Sequence, residues 1–203
     1  MKHPAVVLSV AHHPDPTGYD PGATAMLDGI LRTEAAWSLA MCRRMEARLL
    51  ALGYPTIILN QPLGATIAAL RSMPAGSVVV AIEPHLNKDP DNDAPGTSAA
   101  DYGLVIRDLR NTSAPMARFC ERFADRLELS RVAAGLRPVV QRWTAPLQGT
   151  KTIGFVQKHQ HPAVVTEAAF MDHEPSLRWA FSADGMDAIA AAHVSAVQAG
   201  WPA

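Results

Sequence analysis

Four residues in this chain stand where packing would favour a hydrocarbon: His12, Glu34, His85 and Glu167. His12 ends the apolar run Ala5-Val-Val-Leu-Ser-Val-Ala11, and a second imidazole, His13, follows it. Glu34 falls between Ile30 and Trp37 on an apolar stripe. His85 and Glu167 each follow a short apolar run, Val78 to Ile82 and Ala163 to Thr166. A carboxylate on an apolar stripe must be paired, protonated or bound to a cation, because burying it bare is costly. Two imidazoles and one carboxylate make a natural set for one zinc ion, with a fourth position left for water. Zinc lowers the pKa of such a water toward ~7. A further carboxylate can take a proton from the water and hand it to a leaving amine. Chemistry of this kind cleaves amides. Plainer readings stand beside it: a hydrogen-bonded loop histidine at His12 or His85, an ion pair from Glu34 to Arg32, Arg43 or Arg44, and a water-facing carboxylate at Glu167.

The elements that must position these residues follow from periodicity. Buried strands are expected at Ala5 to Val10, Pro55 to Leu59, Gly76 to Ile82, Tyr102 to Ile106 and Pro162 to Thr166, with a further one at Thr152 to Val156. Glu83-Pro84 is expected to end the third of these, since proline cannot donate to a ladder. Apolar residues at Leu27, Ile30, Trp37, Met41, Met45 and Leu49 recur at helical spacing, so a long helix is expected from Ala25 to Leu52, closed by Gly53. Shorter helical patterns run from Ala65 to Met73, Ala114 to Leu129 and Gly185 to Val197. Alternating strands and helices predict an α/β fold: one domain over residues 1–203, with a mostly parallel twisted sheet and helices on both faces.

Composition narrows the function classes. Of 203 residues, 48% are hydrophobic and 18% charged, which fits a packed interior and argues against disorder. A net charge of −1, with no basic run, removes the electrostatic footprint of nucleic-acid binding. Cys42 and Cys120 fall in helical patterns and read as small core residues, and without Cys-x-x-Cys there is no thiolate zinc site. No apolar run approaches the roughly 20 residues a membrane helix needs. No signal-peptide pattern opens the chain. Asp89, Asp91 and Asp93 imitate a calcium loop but lack its glycine and its final glutamate, since Ala94 and Ala100 occupy those places. His159-Gln-His161 reads as an exposed turn, with metal binding as the alternative.

Around its four singular residues the chain resembles the zinc-dependent N-acetylmuramoyl-L-alanine amidases of the Amidase_3 type. That family opens with Leu-Asp-Pro-Gly-His-Gly and then Asp-Pro-Gly-Ala; here the stretches are Leu8-Ser-Val-Ala-His-His13 and Asp20-Pro-Gly-Ala23. Its ligand glutamate, near the start of a helix ending in Leu-x-x-x-Gly-Tyr, matches Glu34 with Leu50-Ala-Leu-Gly-Tyr54. Its Ser-Ile-His-Ala-Asn is similar to Ile82 to Asn87, and its Pro-Ala-Val-Leu-Val-Glu-x-x-Phe to Pro162 to Phe170. The departures are Ser9, Ala11 and His13 around the first histidine, and Glu83-Pro84 in place of the serine before the second. His13 is the rival of His12 as ligand, and the alignment favours His12.

The resemblance implies a phosphorylase/hydrolase-like fold and one zinc ion held by His12, Glu34 and His85, with Glu167 as the catalytic carboxylate. It also implies hydrolysis of the amide between the lactyl group of N-acetylmuramic acid and L-alanine in peptidoglycan. Such an enzyme, made in the cytoplasm, would act on the wall after release or export, as a phage lysin or an autolysin. Two other readings compete: a zinc amidohydrolase or carboxypeptidase acting on small N-acyl amino acids, and a non-catalytic wall-binding protein of the same fold.

Overall fold

The computed structural model describes residues 4–12, 20–88, 101–145 and 153–202. Eight strands and six helices alternate along them. Strands β1 (Ala5–Ser9), β4 (Thr56–Leu59), β5 (Val78–Asn87), β6 (Gly103–Asp108), β7 (Val140–Ala145) and β8 (Ala163–Phe170) form one sheet in the order β4-β1-β5-β8-β6-β7. Neighbours from β4 to β8 run parallel; β6 is antiparallel to β8 and parallel to β7. The expected mostly parallel sheet is therefore observed, and the carboxyl ends of β1, β5 and β8 lie side by side. Crevices beyond such strand ends are where open α/β sheets place their ligands.

Strand alternation sorts the apolar residues into two cores. Val6, Leu8, Ile82 and Val164 pack under α1 (Glu34–Ala51), α3 (Ala114–Ala133) and α6 (Ala183–Gly200). Val7, Ala81 and Val165 face Leu70 of α2 (Leu63–Ser72) and Phe155 of α4 (Gly154–Gln157). Ser9, Glu83, His85 and Glu167 share the parity of this second face. They continue it past the last apolar residues. Helices thus cover both faces, and Cys42 and Cys120 are buried in α1 and α3 as expected.

Three expectations are corrected. The segment read as the first part of a long helix is a hairpin, β2 (Thr24–Leu27) paired with β3 (Ile30–Thr33). Asp28 and Gly29 turn it with φ of 51° and 75°. Two consecutive positive φ values at Asp-Gly are the tight hairpin turn whose twist suits its strands. The helix begins only at Glu34, capped by Thr33, whose hydroxyl accepts from the Ala36 N–H. It ends as expected: Gly53, at φ 85°, donates to Leu50 and Tyr54 donates to Leu49, the paired bonds of a Schellman close.

The second correction is that Glu83-Pro84 does not end β5. Ala81 N–H points toward β8 and donates to the carbonyl of Pro162, the residue just before that strand. By alternation Pro84 turns its missing donor to the other side, beyond Leu8↔Ile82, the last pair with β1. No ladder bond is lost there, so the strand runs on to Asn87. Third, the described part of the segment expected as a strand at Thr152 to Val156 carries the helical turn α4, while β7 forms before it, over residues for which no element is expected.

A buried ion pair ties α3 to the sheet. Arg131, fully buried near the end of α3, donates to Asp101, to the Arg137 carbonyl and to the carbonyl of Ala168 in β8. Asp101 also accepts from Ser176 Oγ at 2.5 Å, in α5 (Glu174–Phe181), and from the Arg137 N–H at 3.1 Å. Burial pushes the Asp101 carboxyl up, but the Ser176 hydrogen bond and the Arg131 charge outweigh it and hold it below its usual value. Among the described residues no helix is long and apolar enough to cross a membrane.

Candidate metal centre

Glu34 owes its place to the first turn of α1, where a carboxylate also suits the helix dipole. The chain doubles back there: the Glu34 N–H donates to the Ala23 carbonyl, and Glu34 Oε2 accepts the Ala23 N–H at 2.9 Å. Oε1 accepts the Leu86 N–H at 3.2 Å. The carboxylate is only 3% exposed. Its remaining capacity faces two imidazoles, with His85 Nδ1 at 2.7 Å from Oε1 and His12 Nε2 at 3.4 Å from Oε2. His12, Glu34 and His85 each offer a ligand atom within 4.8 Å of the other two.

Each imidazole is held at its other nitrogen by a further carboxylate. Asp20 Oδ2 lies 3.0 Å from His12 Nδ1, and Glu83 Oε1 lies 2.8 Å from His85 Nε2. His12 sits just past β1 at φ 52°, a left-handed conformation that a non-glycine residue adopts at a cost. The two rings meet edge to face at 5.4 Å. Burial works against a charge on His85, yet its bonds to Glu34 and Glu83 raise its pKa well above the ordinary value. Burial likewise opposes ionisation of Glu34, and the His85 hydrogen bond and charge hold its pKa below normal. Two nitrogens and one carboxylate oxygen, with carboxylates behind both rings, match the donor chemistry of a zinc site and its supporting shell. The residues fit the ion.

Glu167 is the register partner of His85 across β5 and β8. Its Oε2 is buried and, among the described residues, has no hydrogen-bond partner. Burial pushes its pKa up to about 7; the charges of Glu34 and Glu83 add to the rise and that of His85 opposes it. A carboxyl group poised near neutrality beside a metal set can both accept and deliver a proton.

All four residues singled out in the sequence therefore lie together at one sheet edge. The arginine alternatives for Glu34 are not taken up: Arg44 pairs with Asp187, and Arg32 stacks over Phe181. His13 and the aspartate run at residues 89–93 lie outside the described residues. The His159–His161 turn is not fully exposed, since His161 is buried and its Nε2 engages the Leu70 carbonyl.

No family model matches this chain, and no curated protein matches it. Solved structures do. The catalytic domain of CwlV, an N-acetylmuramoyl-L-alanine amidase from Bacillus (Paenibacillus) polymyxa var. colistinus, superposes with a TM-score of 0.71 at 14% identity over 96% of both chains. The N-acetylmuramoyl-L-alanine amidase AmiC2 of Nostoc punctiforme gives 0.71 at 15% identity, covering 96% of this chain and 94% of its own. The catalytic domain of the CD27L endolysin, which targets Clostridia difficile, gives 0.67 at 16% identity, covering 96% and 97%. The chain has the N-acetylmuramoyl-L-alanine amidase fold.

On this amidase fold, sequence reasoning missed Asp20, Gly22 and Glu83. Asp20 lay in a quoted motif without an assigned role. Glu83 lies two residues before His85, the spacing that puts both on one strand face, but reading Pro84 as a terminator hid it. Gly22 has φ 69°, and a Cβ there would lie 2.6 Å from both Glu34 Oε2 and His12 Cδ2. Only a residue without a side chain lets the loop pass between the two donors.

Proposed function

We propose that the protein is a zinc-dependent amidase that hydrolyses the bond between the lactyl group of N-acetylmuramic acid and L-alanine in peptidoglycan. One observation carries the reading: the three donor atoms of His12, Glu34 and His85 converge beside Glu167, at the carboxyl ends of adjacent strands. The fold shared with amidase catalytic domains supports it. His12, Glu34 and His85 hold one zinc ion per chain, and zinc supplies Lewis acidity for amide hydrolysis. Glu167 Oε2 takes the proton of the attacking water and delivers it to the departing nitrogen of L-alanine. Glu34 is kept ionised chiefly by the hydrogen bond and charge of His85, and is oriented by the N–H groups of Ala23 and Leu86. The protein acts on the wall after release or export from the cytoplasm, and its substrate is the glycan-peptide polymer rather than nucleic acid or membrane.

Metal analysis and digestion of purified sacculi test this directly. One zinc per chain is expected, with release of glycan strands bearing free lactyl carboxylates and of stem peptides with free L-alanine N-termini. Cleavage of N-acyl amino acids with intact sacculi would select the small-amide reading instead. Zinc without any hydrolysis would leave a wall-binding protein. Gly22→Ala is expected to weaken zinc binding by at least about tenfold, because the added methyl must displace Glu34 or His12. Calorimetric zinc titration of the variant measures that loss, and unchanged affinity would refute the passage assigned to Gly22.

A further inference from the structure

We infer that Glu83 is a positioning residue, which turns His85 so that Nδ1 rather than Nε2 faces the metal. The inference rests on the zinc reading of His85. Glu83 and His85 are two residues apart on β5 and so share a face, and Pro84 between them stiffens the backbone. Glu83 is 6% exposed and both its oxygens are engaged: Oε1 by His85 Nε2 at 2.8 Å, Oε2 by the Ser9 hydroxyl at 2.7 Å. Ser9 itself is buried at the end of β1. With two adjacent strands each fixing one oxygen, the carboxylate cannot swing, and the imidazole it accepts from cannot flip. Once Nδ1 is committed to the metal, Nε2 keeps the ring's one hydrogen and Glu83 is its acceptor. Asp20 does the same for His12 from the opposite side of the ring, but its side chain is 64% exposed and holds less firmly.

This also explains two departures from the family motifs. Counted from the two histidines, the family's aspartate falls at Ser9 and its serine at Glu83. The carboxylate and the hydroxyl are both present here, hydrogen-bonded to each other, on exchanged strands. A substitution at either position alone would lose one of the pair; the two together keep both groups.

The test is zinc affinity, measured by competition with a chromophoric chelator, on the parent protein, Glu83→Ala and Glu83→Gln. Loss of a supporting carboxylate is expected to weaken zinc binding about 10–100-fold in Glu83→Ala. Glu83→Gln keeps an acceptor oxygen without the charge and is expected to fall between. The cobalt-substituted Glu83→Gln protein is expected to keep the parent's visible absorption intensity, because the ligands are unchanged. Parental zinc affinity in Glu83→Ala overturns the inference. So does metal-free Glu83→Ala protein that is unfolded when Glu83→Gln binds zinc as the parent does. A changed cobalt spectrum would make Glu83 a ligand, which also overturns it. A parent that binds zinc yet leaves sacculi intact would sink the amidase reading alone; one that binds no zinc would sink both.

Discussion

Glu167→Gln is expected to retain a full complement of zinc and to lose hydrolysis of sacculi by about 10²–10⁴-fold, the usual worth of a positioned proton-transfer group. The substitution preserves side-chain shape. It removes only the ability of Oε2, buried beside His85 and unpartnered among the described residues, to take up and return a proton. Stability gives a second readout. Burial raises the folded-state pKa of Glu167 to about 7, above the roughly 4.3 of an unfolded glutamate. Its neutral form is therefore favoured by folding, and that stability is lost as pH rises through the folded value. The permanently neutral glutamine avoids the loss, so the metal-free variant at pH 8 is expected to melt no lower than the metal-free parent. A variant that turns over at the parental rate would remove Glu167 from the mechanism. One that loses zinc would make it a ligand.

Asp101→Asn is expected to be the most damaging single change away from the metal centre. It leaves the buried guanidinium of Arg131 without a counter-charge, and breaking such a pair typically costs about 3–5 kcal/mol. For a domain of this size that is a fall in melting temperature of about 10 °C. The pH dependence has a definite sign. Against the effect of burial, Ser176 and Arg131 hold the Asp101 carboxyl below the value of about 3.9 it has when unfolded. Its contribution is complete above that unfolded value and drains away as pH falls through the lower folded one. Thermal melts of parent and variant should therefore separate fully above the unfolded value and converge as pH falls through the lower folded one. Equal melting temperatures at pH 7 would show that Arg131 finds another partner. Because Arg131 also donates to the carbonyl of Ala168, next to Glu167, the variant is expected to lose activity below its melting point as well.

How much of this was legible in the chain can be argued residue by residue. Short apolar runs rich in valine and isoleucine marked β1, β4, β5, β6 and β8, because buried parallel strands need hydrocarbon on both faces. Glu34 announced itself as a carboxylate among hydrophobic neighbours, and it is buried. Gly53 was read as the close of α1 because its left-handed backbone suits glycine. Where two local signals competed, the sequence was ambiguous: Leu27 and Ile30 carry helical spacing, but Asp28-Gly29 between them imposes a hairpin.

What the tertiary structure alone decided is which distant groups touch. The order β4-β1-β5-β8 sets β1, β5 and β8 side by side, and that arrangement brings Glu34 within reach of His85, 51 residues away. It also decides that Pro84 costs no ladder bond, since β1 has already ended beside it, and that Glu83 therefore stays in the strand behind His85. Local propensity records the period and the ends of an element. Contacts between elements depend on sheet order and register, which are set by burying all the strands together rather than by any one of them.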